Sequence, residues 1–182
     1  MRRSPGIAGA IVTVILAAGC GPAVPAATAP LGATSHEEFV TAACLAFDEL
    51  DAAIGNPDTG TGSKLSDALD AAVESGDVAR ASQLADESIA RLEEGRRQLA
   101  IAGGWEPGRE MATAADTFFL ASEVLVNGKR AGAATRDLQA GQTAFEKAGG
   151  LAAWQGMIEA AGSIELPAGS APIRCPNVAI QL

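Results

Sequence analysis

The chain predicts an all-α fold: an up-and-down helical bundle of the four-helix type, with extra short helices and an extended C-terminal strap. Three observations carry this. Apolar residues recur three and four positions apart from residue 35 to about residue 162. Helix-stopping and helix-starting residues divide that stretch at short intervals. No alternating strand pattern runs for more than a few residues, and Val178 to Leu182 offers at most a local pairing.

The first helix is announced by Ser35-His36-Glu37-Glu38, a capping box in which the Ser hydroxyl accepts from a first-turn amide and the Glu reaches back. Phe39, Val40, Ala43, Cys44, Phe47, Leu50 and Ile54 form its apolar stripe, and Gly55-Asn56-Pro57 ends it. A polar, glycine-rich loop leads to a shorter helix from Ser63 to Ser75, with Leu65, Leu69, Ala72 and Val73 inward. Gly76 caps that helix and Asp77 starts the next, so Ser75-Gly76-Asp77 is a tight helical hairpin. The third helix runs from Val78 to Ala102, where Gly103-Gly104 stops it.

Glu106-Pro107 opens the fourth helix, because proline suits a first turn whose amides lack partners anyway. Met111, Ala114, Ala115, Phe118, Leu120, Ser122 and Leu125 carry it to Gly128. A fifth stretch, Ala131 to Ala148, turns Ala134, Leu138, Gly141 and Phe145 inward. Gly149-Gly150 interrupts it before a short helix with Leu151, Trp154, Met157 and Ile158. Beyond Ser163 the period is lost, and Pro167, Pro172 and Pro176 forbid a continuous helix, which predicts the strap. Alanine-rich faces and the mid-helix glycines Gly95, Gly132, Gly141 and Gly156 predict close approach of helix axes, with little room for a large internal pocket.

The N-terminus has a different build. Arg2 and Arg3 precede an apolar run from Ile7 to Ala18, and Leu16-Ala17-Ala18-Gly19-Cys20 closes it with small residues before a cysteine. The run is too short for a bilayer-spanning helix, which needs about 20 apolar residues. The segment resembles the lipobox signal of bacterial membrane lipoproteins, in which the cysteine thiol receives a diacylglycerol before the signal is cleaved. Ala17 stands where many lipoboxes carry Leu. A plain secretory signal cut at another small residue, and export by a twin-arginine route through Arg2-Arg3, stay open as alternatives. The resemblance implies a signal over residues 1–19, lipid attachment at Cys20, and a domain outside the cytoplasm on the cell membrane. Residues 20–34, with three prolines and no charge, then read as a tether able to reach about 40 Å at ~3.1 Å per residue, disposable for folding up to residue 33. Residues 35–182 form the bundle domain.

With Cys20 taken by lipid, Cys44 and Cys175 remain as an even pair in an oxidising compartment. A structural disulfide is the expectation, since no Cys-x-x-Cys suggests a redox or metal pair. Loss of Arg2 and Arg3 with the signal leaves 11 of the 13 basic residues against all 22 acidic ones, a balance that repels nucleic acid and anionic lipid headgroups. The absence of Tyr and the presence of only two Trp argue against a sugar-binding surface.

Other motifs carry little chemistry. His36 is the single histidine, in a cap position expected to face solvent, and no Glu-x-x-His or haem-attachment spacing occurs. Asp58-Thr59-Gly60-Thr61 resembles the aspartic-protease signature, but it occurs once and without a β-domain. Gly60-Thr61-Gly62-Ser63-Lys64 lacks phosphate-loop spacing and follows no strand. The residues around Ser75-Gly76-Asp77 resemble a tetratricopeptide-type turn without recurring at a fixed period. Trp105 is expected to cap an end of the bundle and Trp154 to enter the core, either being able to stack on a ligand. No catalytic, cofactor-binding or metal site is therefore expected. The chain reads as a non-catalytic binding or interaction module, held to membrane lipid by its diacylglyceryl anchor and meeting a protein partner; a small-ligand carrier with a cleft between helices is the alternative, and an enzyme comes third.

Overall fold

A computed structural model of the chain describes residues 32–33, 35–57, 59–170 and 175. Cys20, the signal, most of the tether and the pairing considered for Val178 to Leu182 lie outside the described residues. Among the described residues there are six α-helices and no strand. They are α1 (His36–Ile54), α2 (Lys64–Ser75), α3 (Val78–Ala102), α4 (Arg109–Gly132), α5 (Gln139–Lys147) and α6 (Gly150–Gly162). Single 3-10 turns over Glu106–Gly108 and Ala133–Thr135 bracket α4.

The helix starts follow from side-chain caps. Ser35 accepts from the Glu38 amide at 3.2 Å, Ser63 from Ser66 at 3.0 Å and Asp77 from Arg80 at 3.0 Å. Gly76 ends α2 in the left-handed conformation at φ 75°, which glycine adopts without a Cβ penalty. α1 packs antiparallel on α3: Glu49 pairs with Arg91 at 3.2 Å, and Ala33 at the start of the domain donates to Ile101 O at 2.8 Å. α3 packs antiparallel on α4 through Arg96, which bonds Asp116 at 2.7 Å and Glu123 at 3.3 Å. α5 and α6 together make the fourth column against α4, and the short α2 bridges α3 and α4, joined to α4 by Lys129–Asp70 at 2.7 Å. These partly exposed pairs each contribute no more than about 1 kcal/mol, so they set register more than stability. Stability comes from the buried core, with Phe39, Phe47, Leu50, Leu92, Met111, Phe119 and Met157 fully enclosed.

Cys44 and Cys175 are joined by a disulfide across Cα atoms 5.1 Å apart, within the usual span for such a bond. Residues 164–167 leave α6 without helical structure, and Cys175 is buried where the chain returns to α1.

Several expectations need correction. α4 passes through Gly128 to Gly132, and α5 starts only at Gln139, after Arg136 has taken φ 57°. Gly128 is a crossing point and not a stop: a Cβ there would lie 2.8 Å from Ala140 O and from Gly141 Cα. Gly95, Gly132 and Gly141 are likewise crossing residues, but a Cβ on Gly156 would meet no described residue within 4 Å. Ala134 is exposed in the 3-10 turn, and Val78, Leu120, Leu151 and Ile158 are 42–58% exposed despite their places on the apolar stripes. The end of the tether is not a free linker either. Ala33 is 3% exposed, and a Cβ on Gly104 would sit 2.6 Å from Gly32 Cα, so residues 32–33 are seated on the end of α3.

Candidate functional site

The recesses of the bundle are open to its surface. A half-open cleft of about 510 Å³, within the range of ligand sites, lies where α2 and the α1–α2 loop face α4, α5 and α6. Its apolar floor is Phe118 of α4, Phe145 of α5 and Trp154 of α6. Phe118 meets Trp154 at 5.0 Å between ring centroids and Phe145 edge-on at 6.1 Å. Leu125, Leu151 and Ile54 extend this floor.

The opposite wall is built by the loop after α1. Gly55 turns at φ 96°, where a Cβ would come within 2.2 Å of Thr61 O, so only glycine fits. The Asn56 amide then donates to Thr61 O at 2.8 Å, and Asn56 Oδ1 accepts from the Thr59 amide at 3.3 Å. This closed loop brings Asn56, Thr61 and Gly62 to the rim.

Among the described residues, the charged ones lining the cleft are Asp67 and Asp70 of α2. Lys129 Nζ lies 2.7 Å from Asp70 Oδ1, out of line for a hydrogen bond, and donates instead to Ser66 Oγ at 3.2 Å. Asp67 stands at the exposed rim against Gly62, whose added Cβ would lie 2.5 Å from its Oδ1. The next recesses are of similar size but differ in kind. One, about 490 Å³ beside Gly32 and Ala33, has no aromatic lining; another, about 560 Å³, is walled by Asp51, Lys64, Arg80, Glu87 and Arg91.

The polar chemistry of the cleft is that of carboxylates, hydroxyls and amides. Its hydroxyls, Thr61 and Ser66, have no imidazole within reach. His36 is the chain's single histidine and sits at the far end of α1 from Ile54 and Gly55, about 27 Å away at ~1.5 Å per residue. Glu94, held below the ordinary carboxylate value by hydrogen bonds from Gln98 and Arg97, and Arg96, held up by its bond to Asp116, both lie on α3 and outside the cleft. Among the described residues no three His, Cys, Asp or Glu side chains converge to hold a metal ion.

The other singled-out residues fall as follows. His36 does not face solvent; it is buried, its ring 5.3 Å from Trp105, and its Nε2 has no hydrogen-bond partner. Trp105 also packs on Phe39 at 5.0 Å and closes that end of the bundle, as expected. Trp154 is half-buried and walls the cleft instead of filling the core. Asp58 lies outside the described residues, whereas Gly60, Thr61 and Gly62 belong to the cleft wall and Ser63 caps α2. Sequence reasoning placed Phe118, Phe145 and Trp154 inward but on separate helices, and nothing along the chain marks their convergence.

Among the described residues no helix is long and apolar enough to cross a membrane. No protein-family model, no curated protein and no solved structure matches the chain.

Proposed function

We propose that the chain is a lipid-anchored, extracytoplasmic and non-catalytic binding module, attached through Cys20 and binding a small ligand in the cleft over Phe118, Phe145 and Trp154. The cleft carries this reading: three rings from three helices floor a recess of ligand size, with polar groups at its rim and the imidazole about 27 Å away. The lipobox-like segment ending in Cys20 supports the anchor, and the excess of acidic residues makes lipid, and not basic charge, the means of attachment. A Trp105→Phe protein isolates Trp154 emission, and titration with a panel of small metabolites tests the cleft. A saturable change with a matching rise in melting temperature is the expected result; no response from any member rejects it.

A protein partner is the second reading, favoured by Leu120 and Val124 on α4 and Leu151 and Ile158 on α6, apolar side chains 39–58% exposed on helices that pack together. Crosslinking in intact cells separates the two. A partner captured at α4 and α6, with a silent Trp154, selects the second.

A further inference from the structure

We infer that the cleft selects a small organic monocation with an apolar body, such as an arylalkyl amine or a quaternary ammonium. This rests on the cleft being the binding site and goes on to name its ligand class. The charge count comes first. Among the described residues, Asp67 and Asp70 line the recess and no basic side chain does. Lys129, 13% exposed, is committed to Asp70 and Ser66, so the three charges leave a net single negative charge. That charge resides on Asp67, whose carboxylate makes no ion pair or hydrogen bond to another described side chain and stands at the rim. An anionic ligand would meet Asp67 directly, with Lys129 already neutralised.

The floor sets the rest of the ligand. Phe118 and Phe145 are nearly enclosed and offer an apolar base, whereas half-buried Trp154 presents a ring to whatever enters. An indole face attracts a cation through its quadrupole, most strongly among the aromatic side chains. A positive head between Trp154 and Asp67, with an apolar body over Phe118, Phe145 and Leu125, satisfies both halves of the recess. A neutral ligand of the same shape would leave Asp67 to water and gain nothing from its charge.

The test uses the full chain in a non-ionic detergent, with Trp105→Phe so that Trp154 reports. Three probes share a ring and differ in charge: 2-phenylethylamine, 2-phenylethanol and 3-phenylpropionate. The amine is expected to bind about tenfold tighter than the alcohol, and the acid more weakly than either. Added salt should weaken the amine alone. Asp67→Asn should narrow the amine's preference to the part that Trp154 supplies, while Glu93→Gln on the outer face of α3, the same change of charge, should leave the preference intact; an unchanged circular dichroism spectrum confirms folding of both. Equal binding of amine and alcohol, insensitive to Asp67→Asn, or preference for the acid, overturns the ligand class and leaves the cleft standing as the binding site. Absence of saturable Trp154 response to all three overturns both.

Discussion

Replacing glycine by alanine at two helical positions should move stability in opposite directions. In a helix interior the change alone gains about 1 kcal/mol, because alanine loses less backbone freedom on folding. At Gly156 of α6 the new methyl would meet no described residue within 4 Å, so that gain should appear in full. At Gly95 of α3 the Cβ would lie 2.3 Å from Phe119 Cε1 and 3.1 Å from Ala46 O, so the ring must retreat by more than about 1 Å to reach van der Waals distance. Phe119 is fully buried and packs on Phe47 at 6.3 Å between centroids, which leaves it little space to retreat into. Overpacking of this kind costs about 1–3 kcal/mol, occasionally more, and here it presses on α1 and α4 together. With the cost in the upper part of that range, about 2–3 kcal/mol, and the gain of about 1 kcal/mol set against it, the net expectation for Gly95→Ala is a loss of about 1–2 kcal/mol, a fall in Tm of about 2–8 °C, against a rise of about 2–4 °C for Gly156→Ala. Urea titration followed by circular dichroism gives both values, with an unchanged m-value as the check that the denatured state is not involved. Adding Phe119→Leu to Gly95→Ala should recover part of the loss. A Gly95→Ala protein as stable as Gly156→Ala would refute the assignment of Gly95 as the point where α1, α3 and α4 meet.

Reduction of Cys44–Cys175 should destabilise the bundle by up to about 5 kcal/mol on the chain-entropy account of a 131-residue separation, and both thiols should resist alkylation in unreduced, denatured protein. Mass spectrometry of the membrane fraction should find Cys20 as a lipid-bearing N-terminus, and Cys20→Ser should release the protein or leave its signal uncleaved. Gly104→Ala should push Gly32 from the end of α3, break the Ala33–Ile101 hydrogen bond and cost about 1 kcal/mol, seen as faster hydrogen exchange at the Ala33 amide. The helical circular dichroism signal should survive a chelator unchanged; its collapse would demand a carboxylate-only metal site.

The first three helices were legible almost to the residue because each carries a start and a stop in its own sequence: Ser35 and Gly55, Ser63 and Gly76, Asp77 and Gly103. Local chemistry decides those ends, so the chain alone reports them. The end of α4 was misread because glycine serves two purposes that look alike in sequence. Gly128 reads as a stop, but the close contact with Ala140 and Gly141 uses its lack of a side chain while the helix continues. Gly156 shows the reverse error, an apparent crossing residue on a helix that no described residue approaches there. The cap position of His36 points to solvent, whereas Trp105, far along the chain, packs against its ring.

The cleft has its origin in a break that the sequence did announce. Gly149 at φ 76° and Gly150 turn the fourth column into two short helices, and a Cβ on Gly150 would lie 2.2 Å from Phe145 Cε2. The break therefore holds Phe145 from one side and carries Trp154 on the other, and both rings close on the ring of Phe118. A continuous helix in this column would present residues 145 and 154, nine positions apart, about 13 Å apart along its axis at ~1.5 Å per residue. The two glycines that mark an interruption thus also bring the aromatic floor together, while the loop that begins at Gly55 supplies the facing wall. The cleft lies at two departures from regular helix, the break at Gly149-Gly150 and the loop that begins at Gly55, which is why a periodic reading that records such residues only as ends finds the helices and misses the recess.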